Sequence, residues 1–442
     1  MLRRIILVFL GCGKWALSVL LIFSFYTSVG QKKGRHYISE LNALDIKKGN
    51  RVIAITGATI FDGNGGTPLE NGTVVVTNGI ITAVGPAAKI RIAPDATIVQ
   101  AAGMSLLPGF IDAHFHLDDN PGLPTKFLHN GVTSVRDPGL WIEVYDGERK
   151  SGRPLPRLFL SGPHIDMFPP AYPADAFVVR DAPEAVRQVN AMADQGSTVI
   201  KVYFRLPPSI IAAVCKAAHD RGLPVTAHLE ITEAMEAIEA GVDGIEHITS
   251  LGLSLVPKFT GEKYRQKVLG DNNARRDGRY EVWKDVDING HYADSLANFL
   301  REHKTFISST LAVFEYRFPT NDEKKDSSKL SGFTKMKNFA GILKKKGVRM
   351  VVGSHSMVPY AETGWAYQRE MELMVEGGMS PSEVIVAATM ENARFFRIDD
   401  RLGSIEKGKI ADLVLIKGNP LDNISNVRNI HKVMLNGEWV RE

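Results

Sequence analysis

The sequence predicts an α/β protein in which a (β/α)8 barrel carries a small β-sandwich domain formed from both ends of the chain. The 442 residues are 44% hydrophobic and 23% charged, an ordinary globular composition that excludes a disordered or collagen-like protein. Short apolar runs broken by turns occupy both ends of the chain, which is typical of a β domain. Between them, strand-like and helix-like segments alternate eight times, which favours a parallel barrel.

Residues 1–30 have the pattern of a secretory signal peptide. Two arginines in the first four residues precede an apolar stretch over 5–26, and small residues lie at the positions that a signal peptidase reads before Gln31. We therefore expect export to the periplasm or the extracellular space, with membrane contact only through this segment. Two alternatives stay open: the stretch remains attached as a membrane anchor, or Cys12 is the lipid-bearing cysteine of a lipoprotein.

Charge and cysteine content narrow the classes of partner. The formal net charge of +4 falls to +1 without residues 1–30, which hold three basic and no acidic residues. No long basic run is present, so a nucleic-acid partner is not expected. Cys12 and Cys215 are the only cysteines, which excludes a disulfide scaffold and a zinc site of the CxxC type.

Residues 49–106 and 399–442 predict the β-sandwich domain. Both pieces contain short apolar runs of strand length, and each contains a two-residue hairpin signal, Asn78-Gly79 and Asn436-Gly437. Because two all-β pieces lie at opposite ends of one chain, we expect them to assemble into a single small domain.

The pattern over residues 107–398 predicts a barrel of the TIM type. Eight strand-like runs occur at 106–116, 134–137, 158–162, 199–204, 225–228, 244–248, 306–311 and 350–355. Helical patterns follow most of them, at 183–195, 209–221, 232–240, 293–303, 335–346 and 366–376. The polar segment 258–291, rich in Gly, Asn and Asp, breaks the alternation and predicts a loop insertion beside the barrel mouth.

Histidines concentrate at the carboxyl ends of the predicted strands, where parallel barrels carry their active sites. The first run ends in His114 and His116, which are two residues apart and therefore share a face of the strand. The fifth, sixth and eighth runs end at His228, His247 and His355. A single histidine at a strand end is usually structural, but this number at one end of a barrel indicates metal binding.

The fourth run brings a lysine into the predicted barrel interior. Its apolar residues alternate toward the helix layer, so Lys201 and Tyr203 turn inward. An unpaired lysine there is unfavourable unless it loses its charge. Reaction with CO2 would give a carbamate whose two oxygens can bridge two cations, and a salt bridge to an acidic residue is the alternative.

Three residues are candidates for contact with a substrate. Tyr203 could hydrogen-bond a tetrahedral intermediate or simply pack. Arg205 continues the inward parity of the fourth run and could clamp a substrate carboxylate, or lie in water at the rim. His164 follows the third run at the same end of the barrel, which makes it a candidate for substrate contact or for support of another site residue.

These motifs together resemble the amidohydrolase superfamily, and most of all its prolidase-like and imidazolonepropionase-related branch. The resemblance covers residues 51–442. The matching motifs are LPGFIDAHFH at 107–116, GVTSVRD at 131–137, IKV at 200–202, TAH at 226–228, IEH at 245–247 and LGSIEKGKIADLV at 402–414.

The resemblance implies a hydrolase with two divalent metal ions, zinc in many members, at the barrel mouth. His114 and His116 would bind the first ion, His228 and His247 the second, and a carboxylated Lys201 would bridge them. A metal-bound hydroxide would attack the carbonyl of a small amide or peptide-like substrate.

The chain departs from the family pattern at the eighth strand. The family ends this strand with an aspartate that ligates the first metal and moves a proton, whereas the run VGSHS at 352–356 puts His355 there. Three interpretations compete. His355 does the same work, a nearby carboxylate such as Glu362 or Asp118 takes over as base, or the site is altered or inactive.

The expected function is hydrolysis of a C–N bond in a small amide or peptide. The alternative enzyme function is opening of a cyclic amide or deamination of a ring. A different class of function is a non-catalytic, metal-binding exported protein. The sequence makes no prediction of the oligomeric state.

Overall fold

The computed structural model describes residues 38–319 and 325–441. The predicted signal peptide, residues 1–30, lies outside the described residues. None of the helices in these two ranges is both long and apolar enough to cross a membrane.

The strands of the described chain are short, mostly three to nine residues. They are β1 (Val52–Ile60), β2 (Leu69–Thr77), β3 (Ile80–Pro86), β4 (Thr97–Gln100), β5 (Met104–Pro108), β6 (Phe110–Asp112), β7 (Val132–Asp137), β8 (Arg157–Leu160), β9 (His164–Asp166), β10 (Ala176–Val178), β11 (Ile200–Val202), β12 (Val225–His228), β13 (Gly244–Glu246), β14 (Phe306–Ser308), β15 (Arg349–Val351), β16 (Leu413–Lys417), β17 (Ile430–Leu435) and β18 (Glu438–Arg441).

The helices lie mainly between the barrel strands. They are α1 (Leu123–His129), α2 (Tyr145–Lys150), α3 (Ala182–Asp194), α4 (Pro208–Asp220), α5 (Ala234–Glu239), α6 (Lys258–Gly270), α7 (Arg275–Asp285), α8 (His291–Glu302), α9 (Leu311–Phe314), α10 (Ser327–Lys345), α11 (Ala366–Glu376), α12 (Pro381–Val386) and α13 (Asn392–Phe396). Short 3-10 segments cover Ala87–Lys89, Ile142–Val144, Ile248–Leu255, Asn272–Ala274 and Ile424–Arg428, and a π-helical turn covers Ala387–Glu391.

The two ends of the chain meet in one eight-stranded sheet, with the order β18-β17-β16-β5-β1-β2-β3 and with β4 paired to β1. Antiparallel pairing of β16 with β5 joins the ends, with Leu413 opposite Pro108. Both predicted hairpin turns are present: Asn78 and Asn436 have φ of 51° and 53°, and each is followed by a glycine with φ of 80°, as a type I′ turn requires. Strands from both ends of the chain thus lie in one sheet, and the β-sandwich domain stays a prediction.

The barrel strands run parallel, and each of the eight predicted runs overlaps one of them: β6, β7, β8, β11, β12, β13, β14 and β15. Two backbone hydrogen bonds link the strand groups into a ring. The amide of Thr198, before β11, donates to the carbonyl of Leu160, the last residue of β8, at 2.8 Å. The amide of Ala113, after β6, donates to the carbonyl of Val352, after β15, at 3.0 Å. This α/β arrangement fits a TIM-type barrel. The first predicted run is divided, since its beginning belongs to β5 in the terminal sheet.

The prediction of a loop over 258–291 is wrong, because the segment forms α6 and α7. Most of the polar residues of the segment are exposed or half-buried. A few well-spaced residues, Tyr264 and Val268 on α6 and Val282 and Trp283 on α7, are buried and hold the helices to the barrel. So narrow an apolar stripe gives little helical signal in the sequence.

Candidate metal centre

The carboxyl ends of the barrel strands open into a cavity of about 610 Å³. Eight of the nine predicted site residues line it; these are His114, His116, His164, Lys201, Tyr203, His228, His247 and His355. Seven of them lie in the last two residues of a parallel strand or in the segment that follows it, and His164 is the first residue of β9.

The histidine rings of the cavity are packed against one another. The ring centroids of His114 and His247 are 4.5 Å apart, and those of His228 and His247 are 4.4 Å apart. His114, His116 and His355 each offer a ring nitrogen within 4.8 Å of the others, close enough to share one metal ion. The Nε2 atoms of His114 and His116 are only 3.0 Å apart, so both rings direct nitrogen to the same point.

Most of these histidines are neutral at pH 7, the form that binds metals. Burial holds the pKa of His114, His247 and His355 well below the usual value and lowers that of His228 to about 4. His116 differs. Burial acts to lower its pKa, but the hydrogen bond and the charge of Asp137 outweigh burial and raise it.

Lys201 lies at the centre of the cavity wall with 2% of its surface exposed. Its Nζ has no hydrogen-bond partner among the described residues. Burial lowers the pKa of Lys201 to about 7, since the ammonium form loses its hydration there. The predicted alternative, a salt bridge from Lys201 to an acid, is absent from the described part of the chain.

A carboxylate that the sequence reasoning did not single out orients His114. Glu246 Oε2 lies 2.7 Å from His114 Nδ1, and Glu246 Oε1 accepts hydrogen bonds from Arg136 at 3.0 Å and Thr226 at 2.6 Å. With Nδ1 held by Glu246, the Nε2 atom of His114 faces the cavity and can bind a metal. Glu246 is the last residue of β13, directly before His247, and this position was the signal in the sequence that could have identified it.

A second carboxylate, Glu230, orients His228 in the same way. Glu230 Oε1 lies 3.0 Å from His228 Nε2 and accepts from Arg279 at 2.7 Å, while Glu230 Oε2 accepts from the hydroxyl of Tyr264. Arg279 and Tyr264 come from α7 and α6. The insertion helices therefore contact the candidate metal centre through Glu230, which lies two residues after the end of β12 at His228. That spacing was the signal in the sequence.

The eighth strand ends in a strained corner that carries His355. His355 and Ser356 have φ of 60° and 59°, in the left-handed region that favours glycine. The His355 amide donates to His114 O at 2.6 Å. A side chain at Gly353 would place Cβ 2.7 Å from His114 Cβ, so only glycine allows the first and eighth strands to approach this closely. His355 Nδ1 is buried and has no partner among the described residues.

The two carboxylates considered as alternative bases differ in position. Asp118 lines the cavity, whereas Glu362 is exposed and does not line it. Of these two, only Asp118 is placed to take part in chemistry at the metal centre.

The structure corrects the prediction for Arg205. Its side chain does not line the cavity. Nε and Nη2 donate to Asn272 Oδ1 at 2.8 and 2.7 Å, and Nη2 also donates to Val268 O at 3.1 Å. The guanidinium therefore fastens the α6–α7 connection and is not free to clamp a substrate. The arginines that line the cavity are Arg275, Arg276 and Arg279 of α7. The sequence analysis did not identify them, because it predicted a loop over this segment.

Comparison of the sequence with curated proteins finds short and partial similarity. N-acyl-D-aspartate deacylase from Alcaligenes xylosoxydans xylosoxydans is 38% identical over 102 residues, 22% of this chain and 20% of that protein. Enamidase from Eubacterium barkeri is 35% identical over 79 residues, 16% of this chain and 20% of that protein. An adenine deaminase from Moorella thermoacetica is 23% identical over 381 residues, 83% of this chain and 54% of that protein. The first two matches thus span about a fifth of those relatives.

Solved structures show the same fold over most of the chain. A Xaa-Pro dipeptidase with bound methionine superposes with a TM-score of 0.67 at 21% identity, covering 88% of this chain and 99% of that one. A putative prolidase from Bifidobacterium longum superposes with a TM-score of 0.66 at 25% identity, covering 88% and 94%. The sequence model of the amidohydrolase family matches residues 105–440. With three quarters of its length inside that match, the protein belongs to the amidohydrolase family.

Proposed function

We propose that the protein is a metal-dependent hydrolase that cleaves a C–N bond of a small amide or peptide-like substrate. The observation that carries the proposal is the convergence of five histidines around the unpartnered Nζ of Lys201 in one cavity. Nitrogen donors of this kind suit zinc. Hydrolases of C–N bonds among the relatives, a deacylase and an enamidase by name, support the reaction class.

The donor set fits two divalent ions. His114 and His116, whose Nε2 atoms lie 3.0 Å apart, would hold the first ion. His228 and His247 would hold the second. Lys201, carboxylated on its unpartnered Nζ, would supply an oxygen to each ion. Bound ions of this type supply an activated water and polarise the substrate carbonyl.

The chain's own residues supply the rest of the chemistry. His355, with a buried and unpartnered Nδ1, would replace the family's aspartate and carry the proton from the attacking water to the leaving nitrogen. Tyr203, buried with its ring centroid 4.7 Å from that of His228, would donate a hydrogen bond to the carbonyl oxygen of the reacting amide. His164, with its ring centroid 4.3 Å from that of Tyr203, would hold Tyr203 in place.

Metal analysis combined with a substrate panel tests the proposal. We expect about two zinc ions per chain and turnover of members of a panel of dipeptides and N-acyl amino acids. His355→Ala should lower kcat/KM by about 10²–10⁴, the usual contribution of a general acid or base. His303→Ala, on the exposed histidine directly after α8, is the control and should leave turnover unchanged.

Three outcomes separate the alternatives. Full activity in the His355→Ala variant would contradict a role of His355 in proton transfer. A wild type that carries metal but cleaves nothing, beside an active His355→Asp variant, shows that the natural site is impaired. Release of ammonia or of a ring-opened acid, in place of an amino acid, identifies a deaminase or a cyclic-amide hydrolase.

We also propose that residues 1–30 direct export and are removed. The support is the order of basic, apolar and small residues in that segment. Amino-terminal sequencing of the mature protein should begin at or near Gln31, whereas an intact amino terminus in the membrane fraction would show a retained anchor.

A further inference from the structure

The first residue of α7 is a buried arginine without an anionic partner. Arg275 is 2% exposed and lines the cavity of the metal centre. Its guanidinium donates to the carbonyl of Asn272 and, at 3.0 Å, to the hydroxyl of Tyr172, over whose ring it lies. No carboxylate of the described residues forms an ion pair with it. A buried guanidinium without a counter-charge is unfavourable, so the site is suited to receive an anion.

The neighbouring arginine adds a second uncompensated charge to the same wall. Arg276 is exposed, lines the cavity and makes no hydrogen bond or ion pair with any described residue. Arg279, one turn further along α7, differs because its Nη2 donates to Glu230 at 2.7 Å. The charge of Arg279 is thus neutralised, while those of Arg275 and Arg276 are available to a ligand.

The acidic residues that line the cavity form no ion pair with Arg275 or Arg276; they are Asp118, Asp119, Asp137 and Asp175. Asp137 pairs with His116 and accepts a hydrogen bond from the hydroxyl of Tyr145. Asp118 and Asp119 follow β6, whereas α7 follows β13, which lies on another side of the barrel. An anionic group entering the cavity would be repelled by the aspartates and attracted by the arginines, and this difference orients it.

We propose that Arg275 and Arg276 form a subsite for a carboxylate of the substrate. The planar fork of a guanidinium matches a carboxylate in a bidentate pair, and the Tyr172 hydroxyl and ring fix the plane of Arg275. The substrate is then a small amide with a free carboxylate on the side of the scissile bond that faces α7. This inference rests on the proposed function for the identity of the ligand, and the subsite itself is defined by the two arginines.

The test compares matched probes that differ only in charge. The panel contains N-acetyl amino acids and dipeptides, each beside its own primary amide. Binding is measured by calorimetry on the zinc-loaded protein in the His355→Ala background, in which turnover is slow. We expect carboxylate members to bind at least about 10-fold more tightly than their amides. Arg276→Gln should weaken binding of the carboxylate members by about 10-fold to 100-fold and leave the amides unchanged.

Two further variants complete the design. Arg275→Gln should show a loss like that of Arg276→Gln, and the exposed Arg276 keeps the test decisive if Arg275→Gln folds poorly. Arg265→Gln is the matched control, because Arg265 lies on α6, pairs with Glu262 and does not line the cavity. Carboxylates and amides that bind equally, or an Arg276→Gln variant that binds carboxylates like the wild type, would overturn the subsite.

The same panel separates failure of this inference from failure of the proposed function. Turnover with equal kcat/KM for the acid and amide forms would support the proposed hydrolase function and contradict the carboxylate subsite. Carboxylate-specific binding that depends on Arg276, without turnover of any panel member, would support the subsite and count against the hydrolase.

Discussion

Three of the histidines that line the cavity, His114, His228 and His247, are each held by a second polar residue. Glu246 contacts His114, Glu230 contacts His228, and the Thr310 hydroxyl lies 2.7 Å from His247 Nδ1. Because one ring nitrogen is occupied in this way, the other presents its lone pair to the cavity. The geometry of the centre therefore depends on residues that never touch a metal.

Glu230 gives the sharpest test of this dependence. Glu230→Gln removes the charge beside His228 Nε2 but keeps a side chain of the same size. We expect its zinc affinity, measured by competition with a chelator, to fall by about 10-fold to 100-fold, the usual effect of losing such a partner. Glu362→Gln, on an exposed residue outside the cavity, is the control. Equal zinc affinity in wild type and Glu230→Gln would show that Glu230 is only structural.

A buried carboxyl away from the metal centre predicts a pH effect on stability. Burial raises the pKa of Glu370 from 4.5 to about 7, although it accepts hydrogen bonds from Ser309 Oγ and the Ala312 amide. Between these values the folded state holds a proton that the unfolded state has lost. The contribution of Glu370 to stability is therefore full below pH 4.5 and is lost as pH rises through about 7.

Glu370→Gln should remove this dependence. The free energy of unfolding of the wild type relative to the variant should be greater at pH 5 than at pH 8, by at most about 3 kcal/mol. Urea unfolding at both pH values measures it. The same difference at pH 5 and pH 8 would contradict a raised pKa.

The residues that the sequence could predict are those whose position follows from strand periodicity. His114, His116 and Lys201 are visible because alternation and strand ends suffice to place them. Arg275 was not visible, because its burial depends on how a separate helix docks on the barrel. Arg205 was misassigned for the same reason, since its partner Asn272 lies 67 residues away.

At the scale of the element, close packing against α10 holds α7, the second helix of the insertion, in place. Gly332 of α10 lies against α7, where a Cβ would fall 2.7 Å from Tyr280 O. Only a residue without a side chain permits this approach. The approach sets the position of α7 and therefore of the α7 arginines that line the cavity. The sequence could not predict it, because the polar composition of 258–291 masks the few residues that bury.

Gly332→Ala should therefore destabilise the protein although alanine is the better helix former. We expect a loss of about 1–3 kcal/mol in the free energy of unfolding, typical of overpacking, against a helix gain of about 1 kcal/mol. Gly270→Ala at the end of α6 is the matched control, because a Cβ there meets nothing within 4 Å. Urea unfolding of both variants measures the effect. A Gly332→Ala variant as stable as Gly270→Ala would mean that α7 and α10 separate freely.

At the scale of the whole molecule, a buried ionic cluster joins the barrel to both ends of the chain. Arg157 of β8 donates to Asp412, before β16, at 2.8 and 3.1 Å, and also pairs with Glu40. Arg401 donates to Glu40 at 2.8 Å. The sequence predicted that the two ends meet, because turn-rich β runs are recognisable. It did not predict that Glu40 pairs with an arginine of the barrel, since a single buried glutamate carries no periodic signal.

Removal of the central arginine should test how strongly this cluster holds the ends together. Arg157→Met keeps most of the side-chain volume but leaves the carboxylates of Glu40 and Asp412 buried without their main counter-charge. We expect a loss of about 3–5 kcal/mol in the free energy of unfolding, the usual result of breaking a buried ion pair from one side. Arg149→Met breaks a more exposed pair with Asp45 and should lose less than about 1 kcal/mol. Similar losses in both variants would show that the buried cluster contributes no more than a surface ion pair.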